Sequence, residues 1–367
     1  MTLHLPADGL TEMLAAIFAA AGGAEPEARA IATNLVEASL MGHDSHGVVR
    51  TERYVEWAAE GRVHFGRHVE TLLDADAFAL LDGQLGFGQT VGPEAVAAGI
   101  AKAQIAGVAL IGLRRAGHLG RIGAFAESAA AAGLVSIHFV NVQNSLLVAP
   151  FGAAERGMST APVCIGVPEP SGAFILDFAT SAIAEGKALV AVKGGKPPPA
   201  GSLIGPDGHP TADPRALYGE SADAPVPNPR AGPGALAPMG GHKGSGLALA
   251  CELLAGALTG SGAGGRDHAV HNGMFSVYLD PARLDDGHGW AAAVSDYIAW
   301  VRSRRPADGT PSVLIPGDPE RARLNERRRI GLPLPPAVWE SLLSATARVG
   351  LDPADFAALP NAQGDPS

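Results

Sequence analysis

Apolar side chains recur at helical spacing through the first sixty residues. "EPEARAIATNLVEASLMG" carries one such apolar face, and Gly42 ends it, because glycine is favoured just past a helix. An earlier helix is marked by apolar residues at intervals of three and four: Leu10, Met13, Leu14, Ile17 and Phe18. The pattern predicts that residues 7 to 62 are mainly helical.

Short apolar runs then alternate with alanine-rich segments. "VALIGL" (108–113), "LVSIHFVNV" (134–142) and "FILDFA" (174–179) have the length of strands, and "GPEAVAAGIAKAQIAG" and "AFAESAAAAG" have the composition of helices. This alternation is typical of an α/β or α+β protein. "GLALACELLAGALTG" (246–260) predicts a buried helix, and two helices separated by a proline break close the chain.

A chain of 367 residues is long enough for two lobes. We expect a helical lobe formed by residues 1–75 with 290–367, and a central lobe formed by residues 76–289 that holds cofactor and substrate. Within it, residues 193–236 are rich in proline and glycine and predict a long ordered loop. A loop of this length is more often functional than not.

Charge and cysteine content exclude several classes of protein. A formal net charge of -10 disfavours nucleic acid and anionic membranes as partners, since both require an excess of lysine and arginine. The two cysteines lie far apart in apolar surroundings, which disfavours a disulfide. No cationic leader and no membrane-length apolar run is present, so we expect a cytoplasmic protein.

"GHDSHG" (42–47) holds two histidines within six residues. A zinc site is disfavoured because no third cysteine or histidine stands nearby at ligand spacing. Two interpretations remain open: acid–base chemistry at an imidazole, or a turn in which Asp44 and Ser45 cap the next helix. Arg50 follows His46 by one helical turn, which suits an arginine that holds a carboxylate beside reacting atoms.

Two later segments carry candidate chemistry. "RRAGHLGRIG" (114–123) places His118 among glycines of period three, which is not the GxGxxG of Rossmann proteins. The segment is more typical of a plain loop than of a phosphate site, and His118 is a second candidate imidazole. "ILDFATSAIAEGK" (175–187) ends a strand on Asp177, an acid suited to an imidazolium, a ribose or a helix cap. "GGHKGSGLAL" fails the P-loop pattern, which disfavours a nucleotide triphosphatase.

Together these segments resemble the type-2 malate/L-lactate dehydrogenase family, which is unrelated to the Rossmann-fold enzymes of the same names. The resemblance runs from about residue 8 to 355 and is carried, in the family's order, by "GHDSHGVVR", "GHLGRIGAFAE", "VAPFG", "ILDFATSAIAEGK", "DGHPTADP", "GGHKGSGLAL" and "LIPGDPE". Within the family the chain is most similar to the hydroxycarboxylate dehydrogenase B branch, which reduces 2-oxo acids with NADH.

The resemblance implies roles for individual residues. His46 matches a proton donor or acceptor with Ser45 and Asp177 as relay partners, and Arg50 matches a residue that binds the substrate carboxylate. His118 matches a histidine that serves as the base in some members, so two imidazoles compete for one role.

The resemblance also implies a cofactor and an assembly. The cofactor is NAD or NADP, with NAD favoured, and no metal is implied. The residues expected along the cofactor are His46, Gly120, Ile175, Leu176, Asp177, Thr180, Ser181, Lys243, Pro316, Gly317 and Asp318. The fold implied is a non-Rossmann α+β fold, with a helical lobe from both chain ends, a largely antiparallel sheet in the central lobe, and a homodimer.

The chain departs from the family pattern at two places. It has "STAP" (159–162) where the family commonly has Gly-Thr-Asn-Pro, and it has Glu185 where an arginine is frequent. The missing amide puts the substrate preference in question. Neither departure touches His46, Arg50, His118 or Asp177.

We therefore expect an oxidoreductase that interconverts a 2-hydroxy acid and its 2-oxo acid. A reductase of a cyclic imine carboxylate, such as piperideine-2-carboxylate, needs the same hydride and proton and is the first alternative. A non-catalytic ligand-binding dimer is the second. The identity and stereochemistry of the acid, and the physiological direction, are left open by the sequence.

Overall fold

The computed structural model describes residues 2–192, 196–224, 227–265 and 270–359. In this part of the chain the helices α1 to α11 are Ala7–Ala20, Glu25–Leu40, Thr51–Ala59, Gly88–Ala106, Gly123–Ala131, Glu185–Val192, Arg215–Tyr218, His242–Cys251, Trp290–Arg302, Asp318–Ile330 and Pro336–Arg348. The strands β1 to β12 are Leu3–Leu5, Glu70–Asp74, Phe78–Asp82, Val108–Ala116, Val135–Gln143, Pro162–Val167, Phe174–Ala179, Leu203–Ile204, Pro210–Thr211, Ala235–Leu236, His271–Leu279 and Leu332–Leu334.

The two ends of the chain share one helical core. The amphipathic faces predicted for α1 and α2 are buried there, together with Trp339 and Leu342 of α11. The short strand β1 pairs antiparallel with β12, with Leu3 opposite Leu334. Burial of these apolar side chains joins the amino-terminal helices, which are followed by "GHDSHG", to the carboxyl-terminal helices.

The centre of the molecule is a seven-stranded sheet in the order β2-β3-β4-β11-β5-β6-β7. Only β3 and β4 pair in parallel, and the other five pairs are antiparallel. This is the largely antiparallel mixed sheet that the family resemblance implied. Helices α4 and α5 cover one face, and β7 forms one edge.

Two expectations need correction, and one stays open. The loop predicted over 193–236 contains α7 and the three-stranded sheet β10-β8-β9, with residues 193–195 and 225–226 outside the described part. The segment 246–260 is helical, but it is not fully buried. The division into lobes remains a prediction, although Glu70–Asp74 joins the sheet of the central lobe rather than the helices.

The helical segment that begins with α8 continues as a π-helix over Glu252–Leu258. Its leucines 249, 253 and 258 are 52%, 54% and 62% exposed. The apolar residues of this helical segment therefore form an exposed face as well as a buried one. None of the described helices is long and apolar enough to span a membrane.

A histidine lies in the interior of the sheet. His138 on β5 is fully buried, with Nδ1 2.8 Å from Ser276 Oγ and Nε2 3.1 Å from Ser136 Oγ. Burial lowers the pKa of His138 to about 3, because the interior disfavours a charged imidazole. The neutral ring satisfies its hydrogen bonds through the two hydroxyl groups.

The burial of neutral His138 predicts that the folded protein loses stability as the pH falls. The unfolded chain binds a proton at His138 below pH 6.5, whereas the folded chain does not until about pH 3. The contribution of His138 to the free energy of unfolding is therefore complete above pH 6.5 and falls by up to about 1.4 kcal/mol per pH unit below it. Urea unfolding at pH 7 and pH 5 measures this loss.

A variant separates His138 from the other titrating groups. His138→Gln keeps hydrogen-bonding capacity and should show a smaller loss between pH 7 and pH 5, whereas His209→Gln, at an exposed position, should match the wild type. An equal loss in His138→Gln and the wild type would contradict the assignment.

Candidate active site

"GHDSHG" forms two successive 3-10 turns, Asp44–His46 and Val48–Arg50, between α2 and α3. Neither Asp44 nor Ser45 caps a helix with its side chain, so the capping interpretation is wrong. A Cβ at Gly47 would lie 1.8 Å from Ser39 Oγ, which itself accepts a hydrogen bond from Val48 N at 3.0 Å. Glycine is therefore required at 47 for this close approach.

The tight turn brings three predicted residues together. Ser45 Oγ lies 3.1 Å from His46 Nδ1, and Arg50 Nε donates to the Ser45 carbonyl at 2.5 Å. Desolvation by the surrounding protein, followed by the charge of Arg50, lowers the pKa of His46 to about 3, although the ring keeps some exposure. His46 is therefore neutral at neutral pH.

His118 comes to the same place from the loop after β4. Its ring stacks on that of His46 with centroids 5.5 Å apart and an interplanar angle of 10°. Burial, Arg50 and His46 together lower the pKa of His118 well below its ordinary value. Two neutral imidazoles thus lie in contact beside one arginine.

Two residues that the sequence analysis missed support His118. Tyr54 Oη lies 2.7 Å from His118 Nδ1, and Gln89 Nε2 donates to Tyr54 Oη at 3.2 Å and to the His118 carbonyl at 3.1 Å. Tyr54 follows Arg50 by one helical turn, and this spacing could have indicated that the two side chains lie on the same side of the helix, near the site. Gln89, on α4, had no sequence signal.

Asp177 is not hydrogen-bonded to His46 in the described part of the chain. It lies on the edge strand β7, and its Oδ2 accepts from Gly123 N at 2.7 Å. Burial raises the pKa of Asp177, while His43 and the Gly123 amide oppose the shift. The neighbouring imidazole is His43, whose Nε2 is 3.6 Å from a carboxylate oxygen of Glu320.

The predicted cofactor residues follow β7 from end to end. Near its start Ile175 N donates to the Pro316 carbonyl at 3.1 Å. This bond attaches the turn at Gly317 and Asp318 to the strand. Past its end Met239 N donates to the Thr180 carbonyl at 2.8 Å, just before α8. Leu176 pairs with Ile165 in the sheet, Ser181 is buried, and Lys243 is exposed near the start of α8.

Gly120 follows His118 by two residues in the same loop. It has φ +73°, and a Cβ there would lie 3.2 Å from Asn34 Oδ1 and 3.3 Å from Gln89 Nε2. Asn34 Oδ1 and Gln89 Oε1 are buried and have no hydrogen-bond partner among the described residues. Unsatisfied buried acceptors are costly, and both oxygens belong to side chains that adjoin Gly120.

The departures at Ser159 and Glu185 introduce side chains that form internal hydrogen bonds. Ser159 is buried, and both its hydroxyl and its amide donate to the buried carboxylate of Glu252, at 2.7 and 3.2 Å. Glu185 accepts a hydrogen bond from the Tyr218 hydroxyl. Both positions therefore form internal hydrogen bonds.

Comparisons with known proteins establish the family of the chain. The sequence profile of the malate/L-lactate dehydrogenase family matches residues 5–343. The chain belongs to this family. It is 36% identical over 352 residues to hydroxycarboxylate dehydrogenase B of Escherichia coli strain K12, with 94% of each chain covered. It is 39% identical over 324 residues to an L-lactate dehydrogenase of Cupriavidus necator, with 85% of this chain and 88% of the relative covered.

A solved structure extends the likeness to three dimensions. Sulfolactate dehydrogenase from Methanocaldococcus jannaschii matches with a TM-score of 0.84 and 28% identity, over 97% of this chain and 99% of that chain. The predicted family and fold class are confirmed, and so is an enzyme of the 2-hydroxy acid dehydrogenase type. Such dehydrogenases depend on a pyridine nucleotide.

Proposed function

We propose that the chain interconverts a 2-oxo acid and its 2-hydroxy acid at the place where His46, His118 and Arg50 meet. The observation that carries this proposal is the stack of two neutral imidazoles, 5.5 Å apart, beside one arginine. The substrate class needs one cation for the carboxylate and one proton-transfer group for the oxygen at C2. Both needs are met by the five residues from His46 to Arg50 together with the loop that carries His118.

Arg50 is prepared to bind a carboxylate. Its Nε is held by the Ser45 carbonyl, and its terminal nitrogens have no hydrogen-bond partner among the described residues. A guanidinium fixed at Nε presents its outer edge for a bidentate pair with a carboxylate. The same contact ties the orientation of Arg50 to the turn that carries His46.

The imidazoles exchange the proton of the substrate oxygen. A ring that is neutral at neutral pH accepts the proton of the C2 hydroxyl group during oxidation, and the imidazolium so formed returns it during reduction. Ser45 orients His46 through Nδ1. We assign Asp177 to strand β7, along which the cofactor is proposed to bind, and not to a relay with His46. The reason is that its carboxylate accepts a hydrogen bond from the Gly123 amide.

The residues around Gly120 fit a nicotinamide. The unsatisfied acceptors Asn34 Oδ1 and Gln89 Oε1 suit the amide hydrogens of a carboxamide, and Gly120 leaves room beside them. The remainder of the dinucleotide would be held along β7, from Ile175 to Ser181, with the turn at residues 316–318 and Lys243. When bound, the nicotinamide supplies or accepts the hydride.

NAD is favoured over NADP. Asp318 Oδ2 accepts from Ile315 N at 2.9 Å and has a second lone pair that suits a ribose hydroxyl. Arg302 and Arg321, the nearby cations, are already paired with Asp318 Oδ1 at 2.8 and 2.6 Å. They are therefore occupied by this carboxylate rather than available to a phosphate.

The enzyme is also proposed to be a homodimer, supported by the uncovered leucines of the α8 segment. Light scattering is expected to give twice the 37.2 kDa mass of the chain. Leu253→Glu should lower the mass to that of a monomer, whereas Leu284→Glu, at a separate exposed leucine, should not. A monomeric wild type would contradict this part of the proposal.

The activity is tested with a panel of acids and both cofactors. Oxidation of NADH and NADPH is followed with pyruvate, oxaloacetate, phenylpyruvate, sulfopyruvate, ketopantoate and piperideine-2-carboxylate. Turnover of at least one 2-oxo acid, faster with NADH than with NADPH, is expected. Turnover of the cyclic imine alone would favour the reductase alternative, and cofactor binding without turnover would favour a non-catalytic role.

Two variants divide substrate binding from chemistry. Arg50→Ala should mainly raise KM for the acid, and His46→Ala should mainly lower kcat, by roughly a hundred- to ten-thousand-fold. Arg53→Ala is the matched control, since Arg53 is exposed and pairs with Glu56. An unchanged KM in Arg50→Ala, or near wild-type kcat in His46→Ala, would refute the corresponding role.

A further inference from the structure

Tyr54 and Gln89 form a buried polar pair behind His118. The two residues are 2% and 4% exposed. The ring of Tyr54 packs among those of Phe18, Trp57 and Phe87, with centroids 5.9 to 6.4 Å away. Packing on all sides leaves the phenol oxygen in one position, 2.7 Å from His118 Nδ1.

The hydrogen-bond partners fix the direction of each bond. The His118 carbonyl only accepts, so the side-chain group of Gln89 that faces it at 3.1 Å is the NH2 group. The second hydrogen of that group is then available for Tyr54 Oη at 3.2 Å. Tyr54 Oη accepts from Gln89, and its single hydrogen is left to donate to His118 Nδ1.

Burial also keeps Tyr54 protonated. It raises the pKa of Tyr54 to about 12, so the phenol retains its hydrogen at neutral pH. An imidazole nitrogen that accepts a hydrogen bond carries no proton, and the proton of neutral His118 must then be on Nε2. Nε2 is the ring nitrogen remote from Tyr54 and has no hydrogen-bond partner among the described residues.

We propose that Gln89 and Tyr54 are positioning residues that hold His118 in its Nε2–H tautomer, so that His118 donates a hydrogen bond to the oxygen at C2 of the substrate while His46 exchanges the proton. This inference rests on the proposed function and assigns the two imidazoles different roles. His46 suits exchange because its Nδ1 neighbour, the Ser45 hydroxyl, can donate or accept.

The backbone of His118 is held as firmly as its ring. Leu119 N donates to Asn272 Oδ1 at 3.0 Å, and Asn272 Nδ2 donates to the Asn141 carbonyl at 2.7 Å. These bonds attach the loop to the two central strands β11 and β5. A donor aimed in advance at the position of a developing charge needs no reorganisation during the reaction.

The tautomer is measured directly, without substrate or cofactor. The full chain is labelled with ¹⁵N-histidine, and the ring resonances of His118 are assigned by their absence in His118→Gln. At neutral pH we expect a protonated Nε2 and an unprotonated Nδ1. A proton on Nδ1, or on both nitrogens, would overturn the inference.

Variants test the pair itself. Tyr54→Phe removes the donor to Nδ1 and should give a mixture of tautomers and a higher pKa for His118, because the hydrogen bond that stabilises the neutral ring is lost. Gln89→Leu should shift the tautomer in the same direction, and it provides a second variant if Tyr54→Phe fails to fold. Trp57→Phe keeps an aromatic contact with Tyr54 and should leave the tautomer unchanged.

Kinetics separate positioning from a merely structural role. Tyr54→Phe should lower kcat for reduction of the 2-oxo acid by at least about tenfold, with a smaller change in KM. It should also shift the acidic limb of the profile of rate against pH to higher pH. Unchanged kcat and pH profile would overturn the role of the pair. A wild type inactive on every acid would defeat the proposed function instead, while the ¹⁵N spectrum would still decide the tautomer.

Discussion

The contact between His46 and His118 depends on backbone approaches that only glycine permits. A Cβ at Gly47 would overlap Ser39 Oγ at 1.8 Å, and a Cβ at Gly88 would lie 2.3 Å from the His118 carbonyl oxygen. The first approach turns the chain sharply after α2, and the second seats the His118 loop on the start of α4. A larger side chain at either position would force the two rings apart.

This packing also sets the electrostatics of the site. Both rings are desolvated, and both lie close enough to Arg50 for its charge to disfavour a second positive charge. Desolvation is the larger cause of this neutrality, and the charge of Arg50, which also attracts a carboxylate, adds to it. A bound carboxylate would offset the charge of Arg50 and make protonation of a neighbouring ring less costly, which couples substrate binding to proton transfer.

The sheet explains why no Rossmann fingerprint is needed. In Rossmann proteins a parallel sheet presents a glycine-rich helix N-terminus to the dinucleotide. Here the sheet is largely antiparallel, and the predicted cofactor residues follow its edge strand β7, with the 316–318 turn hydrogen-bonded at one end and the turn before α8 at the other. Segments far apart in sequence are therefore brought to one strand by sheet hydrogen bonds.

The sequence by itself determined the local elements and the residue types of the site. Apolar spacing located α1, α2 and the strands β4, β5 and β7, because such patterns depend on neighbours within one or two turns. The adjacency of Ser45, His46 and Arg50 was likewise predictable, since they lie within six residues of one another.

Only the tertiary structure decided which of these residues meet. Tyr54 reaches His118 across 64 positions of sequence, and Asp177 faces Gly123 and His43 rather than His46. The leucines of the α8 segment look buried by composition, yet several are exposed because no described element covers that face. Such outcomes follow from the packing of distant segments and from hydrogen-bond directions fixed by burial, and neither is encoded in the local spacing of residues.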